Sequence, residues 1–502
     1  MNLKELSEVL KEDETLLRQS KPSKNASRLP VRMRLKLLLD ENAPFFEMGL
    51  WSAYQMYSEW GEFPAAGVLT VIGNIKGRSC MVIANDSSVK AGAFVPQSVK
   101  KVLRAQRVAY ECRLPIVYLV DSSGVFLPLQ DEIFPDEDDF GRIFRNNAVL
   151  SAEGIPQFSA IMGHCIAGGG YLPVLCDQLL MTEGSGLFLA GPALVKAAIG
   201  QMTDFEELGG AKMHAELSGT VDYVAKDDPD CLERLRHLVG MLPLQEKILC
   251  HNVPKVSSET LYDLKENYET HQLLECIIDA NSWLEYKSEF GKTLLTGFAK
   301  MGEMPVGIVA NQKIQVTNGR GEIEIGGVIY AEGADKAARF IMECNQMDLP
   351  ILFFQDVMGF MVGKESEASG IIRSGAKLVN AISNSIVPKI TCIVGNSFGA
   401  GHYALCGKAY DPNFILAWPN AKYAVMGAQQ AQSTLNTVTN SQGHTIYEAY
   451  KNQTDIRYGA ARGWVDAIID PALTRTVLLQ LLVLVKRAPK KHLTFHTGVI
   501  QT

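Results

Sequence analysis

The sequence predicts an α/β protein in which one unit occurs twice, each time with a largely parallel sheet. Three observations lead to this fold class. Short apolar runs rich in β-branched residues alternate with helical stretches, the same order of elements appears in both halves, and a glycine-rich turn follows a similar strand in each half. Strands that alternate with helices form βαβ units, whose sheets are buried on both faces.

The first repeat begins with two runs that predict a β-hairpin, at residues 67–75 and 80–85. A helical stretch at 99–111 comes next, followed by a buried strand at 114–121. A further helix and strand lead into the first glycine-rich turn, Cys165-Ile-Ala-Gly-Gly-Gly-Tyr171.

The second repeat follows the same order. Its hairpin is predicted at 293–298 and 306–311, its helix at 334–344 and its buried strand at 349–356; a strand at 391–395 leads into Asn396-Ser-Phe-Gly-Ala-Gly-His402. Asn85 and Asp121 are 36 positions apart, whereas Asn311 and Asp356 are 45 apart. The extra residues fall at 316–326, which we predict to be a surface insertion.

The two glycine-rich turns are about 230 residues apart and are the strongest functional signal. Residues without bulky side chains let a ligand oxygen approach backbone N–H groups, and paired N–H donors at such a turn can stabilise an oxyanion. One such turn alone is commonly explained by tight packing, but two at matching places favour function. The pattern predicts chemistry in which two carbonyl oxygens become negatively charged. The candidate residues are Gly168, Gly169, Gly170, Gly399, Ala400 and Gly401.

Composition narrows the class of protein. The chain has 502 residues, 47% of them hydrophobic and 21% charged, with a net charge of −7. This balance argues against nucleic acid as a main partner.

The ten cysteines are scattered and never form CxxC, so we expect reduced, mostly buried thiols. The longest mainly apolar run, 476–485, is about half the length of a membrane span. We recognise no targeting segment and expect a soluble protein, cytoplasmic if bacterial or in the mitochondrial matrix if eukaryotic.

We predict two domains, at 1–255 and 256–502. The linker is expected within 242–275, which contains two prolines and little apolar periodicity, and 488–502 is expected to be an exposed tail.

Long segments of the chain resemble one family. They include VIANDSSVKAGAFVP (82–96), LAGPALVKAAIG (189–200) and SFGAGHYALCGKAYDP (397–412). The chain is similar to the carboxyltransferase (β) subunits of biotin-dependent acyl-CoA carboxylases, above all the 3-methylcrotonyl-CoA type. The stretch 326–336 also resembles glutaconyl-CoA decarboxylase α subunits. The resemblance implies two crotonase-like (ClpP/crotonase) β-β-α superhelix domains and a trimer or hexamer, with active sites between the N-terminal domain of one subunit and the C-terminal domain of another.

The resemblance also implies roles for the turns. Residues 168–170, in the acyl-CoA-binding N-terminal domain, would hold the thioester oxygen, and 399–401, in the biotin-binding C-terminal domain, would hold the ureido oxygen of biotin. In this scheme carboxybiotin releases CO2, the biotin anion removes the α proton of the acyl-CoA, and the enolate attacks CO2. No side-chain nucleophile is required.

Further binding residues are expected around the turns. Phe360, Phe398 and Tyr403 could wall the biotin or acyl pocket, or could be core aromatics. Lys100 and Arg104, with Lys90 and Lys101, could meet the phosphates of CoA, or could form an ordinary exposed helix face. His402 is assigned to the biotin site, where an acid–base role is open but a packed, hydrogen-bonded histidine is favoured, as for His164.

The sequence departs from the family at two places. His402 stands where the family usually has Asn, and Ala428-Gln429-Gln430 stands where it usually has Gly-Glu-Gln. The alternatives are therefore a glutaconyl-CoA-type decarboxylase subunit and a non-catalytic scaffold. The chain has neither a biotinyl-lysine motif nor a P-loop, so a partner must supply biotin carboxylase and the biotin carboxyl carrier. No bound metal is expected: His492 and His496 lack a third ligand, and the acidic run 136–139 reads as a solvated helix start.

Overall fold

The computed structural model describes residues 1–19, 28–243, 253–427 and 450–486. The chain divides into two compact units. The N-terminal unit comprises Asp13–Lys247 and Ala461–Gly463, and the C-terminal unit comprises Met1–Glu12, Ile248–Ala460 and Trp464–Thr502. The functional division at 255/256 stays a prediction.

The N-terminal unit is built on one mixed sheet with the order β1-β2-β3-β4-β5-β6-β8, and β7 pairs with the end of β5. The first three strands are antiparallel and the others are parallel. The strands are β1 Phe46–Met48, β2 Val68–Ile75, β3 Arg78–Asn85, β4 Ile116–Ser122, β5 Gln157–Ile166, β6 Gln178–Thr182, β7 Gly186–Phe188 and β8 Tyr223–Ala225.

The C-terminal unit repeats this topology, with the order β20-β18-β17-β15-β11-β10-β9 and with β19 paired to the end of β17. Its strands are β9 Leu284–Glu285, β10 Leu294–Met301, β11 Met304–Asn311, β12 Val316–Thr317, β13 Ile323–Glu324, β14 Val328–Ile329, β15 Ile351–Val357, β16 Gly359–Phe360, β17 Lys389–Phe398, β18 Phe414–Ala417, β19 Lys422–Ala424 and β20 Ala467–Ile468. The predicted α/β fold with an internal duplication is confirmed.

Both predicted hairpins close through the same kind of turn. Lys76 and Gly77 connect β2 to β3, and Gly302 and Glu303 connect β10 to β11; all four residues have positive φ. Two consecutive left-handed residues form a type I′ turn, whose twist matches that of the flanking strands. The hairpins are therefore fixed locally, as the sequence predicts.

The helices that cover the sheets are amphipathic. In α3 and α11 the apolar stripe is buried, and each helix crosses from the hairpin to the first parallel strand after it. The helices are α1 Leu3–Leu17, α2 Val31–Leu38, α3 Pro96–Cys112, α4 Phe140–Ala152, α5 Tyr171–Val174, α6 Pro192–Ile199, α7 Phe205–Gly209, α8 Ala211–Met213, α9 Asp228–Gly240, α10 Thr270–Glu275, α11 Ala331–Gln346, α12 Lys364–Ala368, α13 Ile371–Ser383, α14 Gly399–Ala404, α15 Ile456–Ala461 and α16 Thr474–Lys486.

Outside the strands and helices of the repeat, one expectation is confirmed and one holds only in part, since the boundary between the two units, Lys247/Ile248, falls within the predicted linker but part of that stretch is structured. Residues 316–326 form a short, mostly exposed hairpin of β12 and β13, as expected of a surface insertion. The linker predicted at 242–275 is not a plain linker, because its second half contains a 3-10 turn at Ser258–Asp263 and α10. Leu261, Leu273 and Leu274 from this stretch are buried, so apolar packing that the weak periodicity did not reveal holds it in place.

The nine cysteines within the described residues form no disulfide, and all but Cys176 are buried. No helix in the described part of the chain is long and apolar enough to cross a membrane. The predicted tail at 488–502, with His492 and His496, and the departure at 428–430 lie outside the described residues.

Candidate active site

The first glycine-rich turn lies at the end of β5. Ala167 adopts the left-handed conformation (φ +59°), and a 3-10 turn at Ala167–Gly170 leads into α5. Gly168 is exposed, and a Cβ built on it meets nothing within 4 Å. Gly169 is buried, and its Cβ would lie 3.8 Å from Gly124 Cα. The turn therefore presents backbone with open space in front of Gly168.

The second turn lies at the end of β17, where Gly399 is the left-handed residue (φ +56°). Ala400 is exposed and Gly401 is buried. A Cβ on Gly399 would lie 2.9 Å from the carbonyl oxygen of Val425, and one on Gly401 would lie 2.6 Å from Val357 Cγ2. Glycine is required at both positions by close approach, whereas position 400 has room for a methyl group.

The left-handed residues show which positions of the two turns correspond. Ala167 corresponds to Gly399, so Gly168 corresponds to Ala400 and Gly169 to Gly401. Strand pairing gives the same result, because Cys165 pairs with Ser122 and Ser397 pairs with Val357, in each case directly after an irregularity in the ladder. Matching the first glycine of each turn would instead set Gly168 beside Gly399, which is one position off because Ala167 also takes a positive φ.

A buried aspartate supports each turn. A Cβ on Gly163 would overlap the carboxylate of Asp121, and one on Gly395 would overlap that of Asp356. Asp121 Oδ1 accepts the backbone N–H of His164 (3.3 Å), and Asp356 Oδ1 accepts that of Asn396 (2.9 Å). Each carboxylate thus binds the backbone of the strand three residues before the left-handed residue of its turn.

Different cations neutralise the two aspartates. Arg34 Nη1 lies 3.3 Å from Asp121 Oδ2, and Lys313 Nζ lies 3.0 Å from Asp356 Oδ1. Sequence reasoning treated the aspartates only as strand ends and missed both cations. The shared Asp-x-x-Gly spacing could have indicated that the two aspartates are equivalent. Gly124 and Gly359 each follow their aspartate by three positions, and both have positive φ.

His402 is a packed histidine, as favoured from the sequence. Its ring is buried, with Nδ1 2.8 Å from Ser397 Oγ and 3.2 Å from Gln355 Oε1, and the Tyr423 hydroxyl bonds Nε2. Burial lowers the pKa of His402 to about 4. The imidazole is therefore neutral near pH 7, and both ring nitrogens already have partners. The direct contact with biotin expected for His402 stays a prediction, and this geometry favours a supporting role.

The three aromatic candidates differ in accessibility. Phe398 is buried, 4% exposed, and belongs to the core, whereas Tyr403 is 48% exposed. Phe360 is half-buried, and its ring lies against the position of Gly375, where an added Cβ would be 3.2 Å from Phe360 Cε1. Tyr403 is therefore the aromatic side chain beside the second turn that a ligand can reach most readily.

Lys100 and Arg104 lie one turn apart on α3, exposed and half-buried respectively. The ammonium group of Lys100 donates to the carbonyl oxygen of Arg462 (2.8 Å). The side chain as a whole is exposed, but partial desolvation of this ammonium group, and then the charge of Arg462, lower the pKa of Lys100. Both side chains remain candidates for a phosphate group. Lys90 is also exposed, with its ammonium group 5.5 Å from the centre of the Phe63 ring.

Lys101 fits neither expectation for the basic set, because it is buried. Its ammonium group donates to the carbonyl oxygen of Ala65 (3.0 Å), and burial lowers the pKa of Lys101 to about 7 although Glu47 opposes this shift. Lys101 lies on the inner face of α3. The position of the lysines in the sequence does not show which of them faces the core.

The remaining polar candidates carry no site. The His164 ring packs edge-on against Phe205 at 5.2 Å, and burial and the nearby Arg28 lower the pKa of His164. Residues 136–139 are largely exposed and precede α4, as expected. Among the described residues, no three His, Cys, Asp or Glu side chains are grouped as metal ligands; that no metal binds stays a prediction.

The carboxyl transferase domain model matches residues 22–499 of the chain. The biotin-dependent 3-methylcrotonyl-coenzyme A carboxylase beta1 subunit of Mycobacterium tuberculosis is 43% identical over 488 residues, covering 92% of this chain and 89% of the relative. The mitochondrial methylcrotonoyl-CoA carboxylase beta chain of Dictyostelium discoideum is 41% identical, covering 91% and 80%. The crystal structure of the geranyl-CoA carboxylase beta subunit of P. aeruginosa superposes with a TM-score of 0.83 at 36% identity, covering 95% of this chain and 91% of that one. The chain therefore belongs to the carboxyl transferase family, as its sequence resemblance predicted.

Proposed function

We propose that this chain is the carboxyltransferase subunit of a biotin-dependent acyl-CoA carboxylase, acting on 3-methylcrotonyl-CoA or a thioester of similar shape. Family membership over 22–499 supports the activity, and the two relatives named as methylcrotonyl-type subunits support the substrate. The observation that carries the mechanism is the pair of turns, each with a left-handed residue followed by an exposed small residue and a buried glycine.

In this proposal the first turn binds the acyl-CoA. The backbone N–H groups around Gly168 and Gly169 donate to the thioester oxygen as it gains negative charge on loss of the α proton. Donors fixed in place before the reaction stabilise such charge better than water does, by about 3 kcal/mol for one well-placed donor. The open space in front of Gly168 fits an approaching carbonyl group.

The second turn receives the ureido group of biotin. The N–H groups around Ala400 and Gly401 orient its oxygen, and Tyr403, Phe360 and Phe398 are the candidates for the walls of that site. Ala400 is exposed and Gly401 and Gly359 approach each other closely next to it, so a planar polar group can come close to the backbone there. When bound, carboxybiotin supplies both the carboxyl group and the base.

Within the described residues, the basic side chain of the second turn is not placed to accept a proton from substrate. His402, the basic side chain within that turn, is buried, hydrogen-bonded at both nitrogens and neutral. The residues of this chain instead bind, orient and exclude water. Lys100 and Arg104 are proposed to meet phosphate groups of CoA.

The proposed partner is a subunit that carries biotin carboxylase and the biotin carboxyl carrier, and the proposed assembly is a trimer or hexamer. The decarboxylase alternative is not better supported, because the relatives described above, at 36% identity or more, are carboxylase subunits. The scaffold alternative is weakened by the intact geometry of both turns.

The test is carboxyl transfer by the purified chain, first with free biotin derivatives and then with the partner subunit, across a panel of acyl-CoAs. We expect transfer to 3-methylcrotonyl-CoA with a kcat/KM above those for acetyl-CoA and propionyl-CoA. Preference for another acyl group would overturn the substrate assignment, and a folded chain without any transfer would favour the scaffold.

A further inference from the structure

The two turns differ most at the residue after the buried glycine. In the N-terminal unit this residue is Gly170, where a Cβ would lie 3.0 Å from Leu187 Cδ1. In the C-terminal unit it is His402, whose ring fills a buried space next to Gly407. The mechanism proposed above does not use this imidazole, yet it takes part in several hydrogen bonds.

The direction of these bonds follows from counting protons. The amide nitrogen of Gln355 donates to the carbonyl oxygen of Leu405 (2.7 Å), so Oε1 of the same amide faces Ser397. Ser397 Oγ donates its proton to that Oε1 (2.6 Å). Since a hydroxyl has one proton, Ser397 Oγ must accept from His402 Nδ1–H (2.8 Å).

The tautomer of His402 is then determined. Nδ1 carries the proton, Nε2 carries the lone pair, and the hydroxyl of Tyr423 donates to Nε2. One directed chain runs from Tyr423 through His402, Ser397 and Gln355 to the Leu405 carbonyl. Each member is satisfied, which gives such a buried network its rigidity.

This chain joins the elements that shape the second turn. Gln355 directly precedes Asp356 on β15, Ser397 is on the last part of β17, His402 is on α14 and Tyr423 is on β19. Helix α14 has six residues and is too short to be stable without tertiary contacts. Removing one bond would therefore loosen Ala400 and Gly401, two or fewer residues from the imidazole.

We infer that Tyr423 and His402 are positioning residues that hold the backbone of the second turn in its working geometry. The inference rests on the proposed function, because it assigns the pair to the biotin half of that reaction. Neither side chain transfers a proton to substrate. The inference predicts a selective effect on biotin turnover rather than a general loss of stability.

The experiment compares Tyr423→Phe, His402→Leu and His402→Gln with the unmodified chain, using a free biotin derivative and an acyl-CoA as separately varied substrates. Phenylalanine keeps the ring that faces Trp464 at 5.3 Å. Tyr423→Phe should lower kcat by about 3- to 10-fold, as expected for loss of one hydrogen bond. His402→Leu should lower it further, and His402→Gln should recover part of the loss, because its amide can both donate to Ser397 and accept from Tyr423. The dissociation constant for acyl-CoA should stay within about twofold of that of the unmodified chain. A difference of this size is what small packing changes, of a few tenths of a kcal/mol, would cause.

Thr474→Val is the matched stability control. It removes a buried hydroxyl that bonds the Trp418 indole (2.9 Å) in the same unit, so it should lower Tm without changing kcat. If the Tyr423 and His402 variants lower Tm as this control does but keep normal kcat, or weaken acyl-CoA binding equally, the positioning role is wrong. If the unmodified chain transfers no carboxyl group, the proposed function fails first and the inference with it.

Discussion

The two units place the same backbone turn on different supports. In both, a strand ends in a left-handed residue beside a positive-φ glycine, above a buried aspartate. In the N-terminal unit Arg34 binds both Asp121 and Asp228, and Arg28 also lies 3.7 Å from Asp121, whereas in the C-terminal unit Lys313 binds Asp356. The geometry of the amides is shared while the surrounding side chains differ, which indicates that the backbone conformation, not any one side chain, is what the two sites have in common.

The first prediction concerns the buried ion pairs and has the largest effect. Lys313→Met leaves Asp356 buried without its cation, which should lower the free energy of unfolding by about 3–5 kcal/mol. Arg34→Met should cost more, because Asp228 and the Met162 carbonyl oxygen, which accepts at 3.0 Å, lose the Arg34 donor, and Asp121 keeps, of its two cations, only Arg28, with Nη1 at 3.7 Å. Urea unfolding measures both. Adding Asp356→Asn to Lys313→Met should restore part of the loss; equal costs for the two single variants would show that the supports are equivalent.

The second prediction separates the two turns by ligand. Gly168→Val and Ala400→Val add methyl groups at the exposed, equivalent positions, and should lower kcat by about 10²- to 10³-fold by displacing an oxygen from its donors. Gly168→Val should weaken acyl-CoA binding in calorimetry and Ala400→Val should not. Tm should change little in either variant because both positions are exposed. The opposite pattern of acyl-CoA binding would exchange the assigned ligands.

The third prediction concerns the residue after the buried glycine of each turn. This residue is Gly170 in the N-terminal unit, which cannot titrate, and His402 in the C-terminal unit, which can. Burial holds the pKa of His402 near 4 in the folded chain, below about 6.5 in the unfolded chain. The unfolded state therefore binds more protons between these values, and His402 makes stability fall as pH drops from about 6.5 to 4, by up to about 1.4 kcal/mol per pH unit. Burial raises the pKa of the neighbouring Tyr423, so its hydroxyl stays neutral in this range. Thermal melts at several pH values should show a shallower slope for His402→Gln; an unchanged slope would mean that the folded His402 titrates normally.

The smallest effect is expected from backbone strain. An alanine in the left-handed region costs about 1 kcal/mol, which glycine avoids at some cost in chain entropy. Ala167→Gly should therefore stabilise the chain by about 0.5 kcal/mol, seen as a small rise in Tm. Gly399→Ala should be destabilising by more, because the added Cβ also meets the Val425 carbonyl oxygen at 2.9 Å. A fall in Tm for Ala167→Gly would show that the Ala167 methyl group makes a contact worth more than its strain.

The elements that local patterns specify were predicted well. Both hairpins, α3, α11 and the central strands lie where alternation, periodicity and turn residues place them. The correspondence of the turn residues does not follow from glycine content, because Ala167 takes the left-handed conformation that Gly399 takes in the other turn. Lys101 was misplaced because helix spacing alone does not say which face is covered.

The sequence by itself determined the duplication, the order of strands and helices, and the presence of two small-residue turns, because these follow from short-range periodicity and from residue size. Only the tertiary structure decided which turn residues correspond, which cations neutralise Asp121 and Asp356, and that His402 is locked between Ser397 and Tyr423. Arg34 meets Asp121 across 87 positions and Lys313 meets Asp356 across 43. Such partners are selected by the packing of distant segments, since a buried charge binds whichever cation the fold brings within reach.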